Sequence, residues 1–427
     1  MKSKSSVYLA RGGILCICLL SFTLYGRDRN PTLGLLESAV LQVTRSGKPQ
    51  TADPRLTTNK YSLWQGPTRL RGANSWGRLD NHHVSPVYTC GDIQALSHLG
   101  ANYLNISHPG ILTEHAVSGR YQLEPDALDN LRQIVQCATT NGMFVVIAYR
   151  TGPERQEKIF EGNHDPSKVF TNDRAQNAWI EMWRMTAELL KDNASVAGYD
   201  LMVEPDTGGH PERWNELAKR IIKAIREKDL ETPILLEGAD GGDLESMLKL
   251  KARDFDAKGD QRIVFSLHQY QPYDYSQQTE GKWEYDCPSL RNKKGSPDPS
   301  NYVPYSLERN EVLRNIYLAL ARWRTEQGAL VAVTEFGAIR WAGGWLGDKR
   351  RGHPVPDADK FISDQLDLVE KLGMNHAIWK WDPDTCQGDD DYNFLHGQTF
   401  SSHTESPSPL RTIITTSWQR NSLRPGS

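Results

Sequence analysis

The chain contains neither C-x2-C nor H-E-x-x-H, so the common zinc-site spacings are missing. No glycine-rich phosphate loop follows the first strand-like segment, which argues against the alternative of a doubly wound nucleotide-binding sheet. An excess of one charge is also lacking. The 427 residues carry 50 Lys and Arg against 53 Asp and Glu, a net charge of −3. Nothing therefore steers the whole protein toward nucleic acid or an anionic membrane surface. Long apolar runs are absent. The main one, Gly12–Gly26, is too short to span a bilayer comfortably and follows Lys2, Lys4 and Arg11. That layout reads as the n-region and h-region of an export signal over residues 1–26. No clean small-x-small cleavage site follows, so an uncleaved N-terminal anchor is the alternative. Cysteine is scarce. Of six, Cys16 and Cys18 fall within the h-region, leaving Cys90, Cys137, Cys287 and Cys386 for an exported chain. Export permits disulfides, and four cysteines allow three pairings.

Aromatic residues are plentiful, with 12 Trp and 16 Tyr. Beyond core packing, such rings suit the apolar C–H face of a pyranose. Residues 27–60 are polar and read as a linker or arm. From residue 61 onward, short apolar segments alternate with amphipathic ones. Tyr61–Leu70 reads as a small hairpin closing a barrel floor. The strands are predicted at 70–74, 101–106, 143–149, 197–203, 233–237, 262–267, 330–334 and 375–379. A helical segment follows each, among them 89–99 with a Thr/Asp cap and 125–141 with Pro at its start. Eight strand–helix units without a composition break predict an α/β fold, a single (β/α)8 TIM barrel over 61–427. The long loops near 150–172, 269–306, 338–357 and 382–408 all follow strands, so they gather on the C-terminal face.

Two stretches share one layout. Gly198-Tyr199-Asp200-Leu201-Met202-Val203-Glu204-Pro205 and Ala329-Leu330-Val331-Ala332-Val333-Thr334-Glu335-Phe336-Gly337 are both apolar runs that end in Glu at a chain-turning residue. A lone strand-ending Glu is commonly a surface residue. Two on one barrel face are the arrangement that glycoside hydrolysis requires.

The order of strand-end residues resembles glycoside hydrolase family 5, the cellulase family of retaining barrel enzymes, over roughly residues 61–421. The matching pieces are Arg71-Gly72-Ala73-Asn74, Gly100-Ala101-Asn102, Glu204-Pro205, His268-Gln269-Tyr270, Thr334-Glu335-Phe336-Gly337 and Trp379. The resemblance implies Glu204 as general acid/base and Glu335 as nucleophile. It implies that Tyr270 donates to the nucleophile, His268 lines the site beside the acid/base, and Trp379 forms a sugar platform. Three positions depart from the family pattern. Val203 stands where the family has Asn, Asn105 where it has the strand-two Arg, and Arg150 where it has the strand-three His. Arg150 is expected to restore the missing positive charge, with its guanidinium reaching the cleft floor toward Glu335 or a neighbouring site residue, and Asn105 to take over some polar contacts. Trp76, Asn105, Tyr149, Arg150, Trp345, Trp379 and Trp381 are the expected substrate-binding residues.

The function expected is an exported, retaining β-glycoside hydrolase acting on a glucan- or mannan-like glycan. No cofactor or metal is expected, nor any nucleic-acid partner, and the N-terminal segment is a candidate membrane tether. The alternatives are a glycan-binding barrel with impaired catalysis and a transglycosylase or hydrolase of envelope polysaccharide. Cys287 and Cys386 lie in loops of the same face, so their pairing is expected, with Cys90–Cys137 disfavoured by helix position.

Overall fold

The computed structural model describes residues 59–425, apart from 81, 86, 115–118, 156–165, 260, 278–310, 340, 343–352, 355–356, 382–391, 393 and 395–408. Eight parallel strands close a barrel: β1 (Arg71–Trp76), β2 (Tyr103–His108), β3 (Phe144–Tyr149), β4 (Val196–Asp200), β5 (Ile234–Glu237), β6 (Ile263–Gln269), β7 (Leu330–Phe336) and β8 (Asn375–Ile378). Each strand pairs with its chain neighbours, and β1 meets β8 with Arg71 opposite His376. Nearly every residue of these strands is buried, as a sheet covered on both faces demands. The (β/α)8 barrel read from the strand–helix rhythm is the fold observed.

The helices are α1 (Cys90–His98), α2 (Pro125–Thr140), α3 (Asp173–Leu190), α4 (Pro211–Arg226), α5 (Leu244–Leu248), α6 (Glu311–Gln327), α7 (Ala358–Lys371) and α8 (Pro409–Trp418), with a further short turn at Tyr273–Ser276. Local chemistry sets their starts. Thr89 and Asp92 form a capping box on α1, the Asn172 side chain caps α3, and Pro opens α2 and α4. On α4, Trp214, Leu217, Ala218, Ile221, Ile222 and Ile225 make one apolar stripe against the sheet.

Two apolar cores result. The larger fills the space between barrel and helices. The smaller lies inside the barrel, where Tyr103, Val146, Ala197, Leu235, Val264, Ala332 and Ala377 point inward from successive strands. Its floor is closed by a 3₁₀ turn, Lys60–Leu63, followed by Trp64, whose indole N–H donates to the Ala197 carbonyl at 3.0 Å. This turn replaces the hairpin expected at 61–70. The polar Asn59 side chain accepts the Tyr61 N–H and winds the chain instead of extending it.

The expectation that Cys90 and Cys137 stay apart is corrected. Cys90 is bonded to Cys137, with Cα atoms 5.0 Å apart. With only 9 residues, α1 does not start high on the barrel wall. Its first residue sits low enough to meet the last turns of α2, and Ser97 further along donates to the Asn141 carbonyl at 3.0 Å. Cys287 and Cys386 lie outside the described residues, as do Trp345 and residues 1–58.

The bridge spans a sequence separation of 47, so its loss frees a long loop in the unfolded chain. The double variant Cys90→Ala/Cys137→Ala is expected to lose about 2–4 kcal/mol of unfolding free energy, measured by denaturant titration. An unchanged midpoint would show that the bridge contributes nothing to the folded state.

Candidate active site

Apolar side chains fill the lower barrel, and polar ones take over above them. The Asn74 amide donates to the Thr334 and Ile378 carbonyls at 2.9 and 3.2 Å, and its oxygen accepts from the Asn105 amide at 2.7 Å. Ser266 bonds Thr334 across β6 and β7 and lies 3.4 Å from Asp200. Burial, then the neighbouring Glu237 charge, push the Asp200 carboxyl well above its ordinary range despite the nearby His268.

Above this layer the strand ends converge. The β6–β7 register slips between Leu267 and His268, after which His268 stands opposite Glu335. A bulge at a barrel rim re-aims the side chain next to it. The extra residue is Thr334 on β7, so Glu335 turns into the mouth beside His268, which follows the inward alternation of Val264 and Ser266 and is 1% exposed. Its Nδ1 bonds Glu204 Oε1 at 2.8 Å and lies 3.3 Å from Glu335 Oε2. Its Nε2 lies 3.2 Å from Glu237 Oε1, an ion contact whose line departs from hydrogen-bond geometry. Burial opposes the charged imidazole, but Glu237, Glu335 and Glu204 outweigh it and hold His268 well above its usual value. Carboxylate oxygens of Glu204 and Glu335 and a ring nitrogen of His268 all lie within 4.8 Å of one another. Such a trio could converge on a cation, but an imidazole protonated by three acids donates rather than ligates.

Glu335 is almost completely buried and takes donors on both oxygens. Arg150 pairs with Oε1, and the Tyr270 hydroxyl donates to Oε2 at 3.1 Å. Burial lifts Glu335 to about 7, against Arg150 and His268, with Glu204 and Glu237 adding to the rise. The Arg150 Nε donates to Ser107 Oγ at 2.9 Å, and its guanidinium lies 4.4 Å from the Trp379 ring centroid.

Glu204 differs. It stands past the end of β4, at φ 47°, a left-handed backbone that a side-chain-bearing residue rarely adopts. The strand was expected to run to Val203. Regular β4 stops at Asp200, although Val203 still donates its N–H to the Tyr149 carbonyl at 3.0 Å. Arg155 holds the Val203 and Glu204 carbonyls at 2.5 and 2.8 Å, and Glu237 Oε2 accepts the Glu204 N–H at 2.8 Å. The Glu204 side chain is 37% exposed, the open member of the pair. Burial pushes its carboxyl up, but the His268 hydrogen bond and charge, then Arg150 and Arg155, outweigh it and lower the carboxyl.

Trp379 and Trp76 are partly exposed at the rim, and the Lys380 ammonium lies 5.1 Å from the Trp76 ring centroid. Three expected substrate contacts are corrected. Tyr149 is fully buried, its hydroxyl bonded to Thr186 of α3 and its ring on Trp183, so it faces the helices. Trp381 is 2% exposed and packs on Phe394 in the outer core. Asn105 is 1% exposed and spends its amide on Asn74 inside the barrel. The sequence reading also passed over Glu237 and Arg155. Glu237 had a signal: Pro233-Ile234-Leu235-Leu236-Glu237-Gly238 is a third apolar run ending in Glu. Arg155 had none, since nothing in a loop Arg announces which carbonyls it will hold. Arg155 also lines a side cavity of about 340 Å³, walled by Leu79, Leu112, Tyr121 and Pro153.

The family profile of Cellulase (glycosyl hydrolase family 5) matches residues 76–385. A Beta-xylosidase of Phanerodontia chrysosporium is 24% identical over 304 residues, covering 70% of this chain and 58% of that protein. Endoglucanase A of Ruminococcus albus is 24% identical over 276 residues, covering 61% of this chain and 65% of that protein. Endoglucanase C of Acetivibrio thermocellus is 23% identical over 324 residues, covering 71% of this chain and 86% of that one. The chain thus spans less than two thirds of the length of the first two relatives. The solved structure of endoglucanase Cel5A from the hyperthermophilic Thermotoga maritima superposes with a TM-score of 0.59 at 17% identity, covering 84% of this chain and all of that one. The chain belongs to the cellulase family, glycosyl hydrolase family 5.

Arg150 opposes the protonation of Glu335 directly. Arg150→Met is expected to raise the Glu335 titration above about 7, read from the ¹³C shift of its carboxyl carbon. An unchanged or lower midpoint would mean that the guanidinium does not govern this carboxyl.

Proposed function

We propose that the protein is a retaining β-glycoside hydrolase that cleaves a β-linked glycan of the glucan or mannan type by double displacement. The observation that carries this is the approach of Glu204 and Glu335, whose nearest oxygens lie within 4.8 Å at the mouth of the barrel. Retaining enzymes hold their carboxyl groups about 5–5.5 Å apart, whereas inversion needs about 6.5–9.5 Å to seat a water. The relatives named Endoglucanase support a glucan. Thermotoga maritima Cel5A has been solved with cellobiose and with mannotriose, which supports the wider class. The apolar run near the N-terminus supports export, with or without an anchor, and a disulfide suits an oxidising compartment.

Glu335 attacks the anomeric carbon, with Arg150 and Tyr270 holding its lone pairs in place. Glu204, open to the cleft, gives a proton to the departing glycosidic oxygen and later takes one from water. Trp379 offers its face to the reacting ring, and Trp76 to a neighbouring one. The two carboxyls titrate as one unit, so the active form is the pair carrying a single proton. His268 Nδ1 lies against both acids, 2.8 Å from Glu204 and 3.3 Å from Glu335, and so links their charges. The upper titration of the pair, about 7 at Glu335, removes the shared proton. Activity as kcat/KM is therefore expected to fall as pH rises through about 7 and again on the acid side, where the lowered Glu204 takes up a second proton. A profile still rising above pH 8 would contradict this sharing.

The roles of the two acids separate under azide. Glu335→Ala should lose turnover, and added azide should yield the α-glycosyl azide. Glu204→Ala should still form the covalent intermediate from aryl β-glycosides with good leaving groups, which need little protonation. Azide should speed its breakdown to the β-glycosyl azide. The same anomer from both variants would contradict the assignment.

A further inference from the structure

We propose that Glu237 is a positioning residue of this site: it seats Glu204 through the backbone and holds His268 as the cation between the catalytic acids. This rests on the glycosidase reading of Glu204 and Glu335. Glu237 ends β5, contacts no solvent, and divides its two oxygens between two tasks. Oε2 accepts the Glu204 N–H at 2.8 Å, and Oε1 faces His268 Nε2 at 3.2 Å. The first contact holds a residue whose backbone is left-handed at φ 47°. Such a conformation persists only where the surroundings impose it. Arg155 grips the carbonyls on one side of that kink and Glu237 the N–H on the other. The second contact sets a carboxylate beside Nε2, with Nδ1 facing Glu204 and Glu335 on the other side of the ring.

The fold makes room for this carboxylate. Gly242 lies at φ 63°, and a Cβ there would stand 2.2 Å from Glu237 Oε2. The Gly242 carbonyl accepts the His268 N–H at 2.9 Å, so the same glycine ties β6 to the acid that faces it. The Trp214 indole donates to the Glu237 carbonyl at 2.9 Å and fixes the end of β5. The charged and titratable groups facing His268 are Glu204, Glu237 and Glu335, with Asp200 below, Arg150 across the site, and Tyr270 just past the end of its own strand. Of the three acids in contact with His268, Glu237 has no place in the reaction itself. It is therefore the one whose charge can be removed without deleting a reacting group.

The test is a pair of readouts on the whole protein. In ¹⁵N-histidine-labelled wild type, His268 should show both ring nitrogens protonated at pH 7. Glu237→Gln keeps an acceptor oxygen for the Glu204 N–H but removes the charge. It should lower the His268 titration midpoint by about one pH unit or more. In hydrolysis of an aryl β-glucoside, the same variant should lose about tenfold or more in kcat with KM within about twofold. Its alkaline limb should move to lower pH, because the Glu237 charge supports the proton on His268 and the proton shared by the acid pair. Glu237→Asp keeps the charge but shortens the reach. It should restore the His268 midpoint toward wild type while kcat stays low. A wild-type His268 that is neutral at pH 7, or an unshifted midpoint in Glu237→Gln, overturns the proposal. The wild-type spectrum decides even if the Gln variant does not fold. The histidine titration needs no turnover, so it stands apart from the glycosidase reading.

Discussion

One imidazole stands between three carboxylates, and the site depends on that arrangement. Glu204, Glu237 and Glu335 meet at the mouth of the barrel within reach of His268. Buried acids so close would not stay ionised together without cations, because burial favours the neutral form of each. His268 and Arg150 supply the cations from the ends of β6 and β3. Their reach is unequal, and that inequality separates Glu335 from Glu204. Arg150 and Tyr270 act on Glu335, while His268 and the backbone grip of Arg155 and Glu237 act on Glu204.

The barrel makes this possible by layering. An apolar plug from Trp64 to Ala377 fills the floor, and a polar layer of Asn74, Asn105, Asp200, Ser266 and Thr334 sits above it. The three acids, His268 and Arg150 occupy the top, where the strand ends leave the ladder. The β7 bulge at Thr334 and the left-handed kink at Glu204 both occur at this level. Local irregularity is concentrated where side chains must be aimed, on a scaffold that is regular beneath.

The barrel itself was legible because β-favouring runs and amphipathic helices alternate with few interruptions. Glu204 and Glu335 were legible as acids at the ends of apolar runs. Glu237 carried the same pattern at Ile234–Glu237 and could have been found by applying the rule a third time. Other features were not legible, for physical reasons. Tyr149 and Arg150 are adjacent, and neighbouring residues at a strand end point to opposite faces. Only the register decides that Arg150 enters the mouth and Tyr149 meets Thr186. Trp381 looked like a sugar platform but closes on Phe394, a contact made by a residue whose fold the sequence pattern did not show. The Cys90–Cys137 bridge depended on the length and height of α1, which its boundary alone did not reveal.

The central claim is that Glu335 attacks carbon while Glu204 moves the proton. Two successive displacements restore the starting configuration, whereas one displacement by water inverts it. The most direct measurement is the ¹H NMR signal of the anomeric proton in the first product formed from a β-linked gluco-oligosaccharide, recorded before mutarotation. The β-anomer appearing first is the predicted result. The α-anomer appearing first would contradict the account.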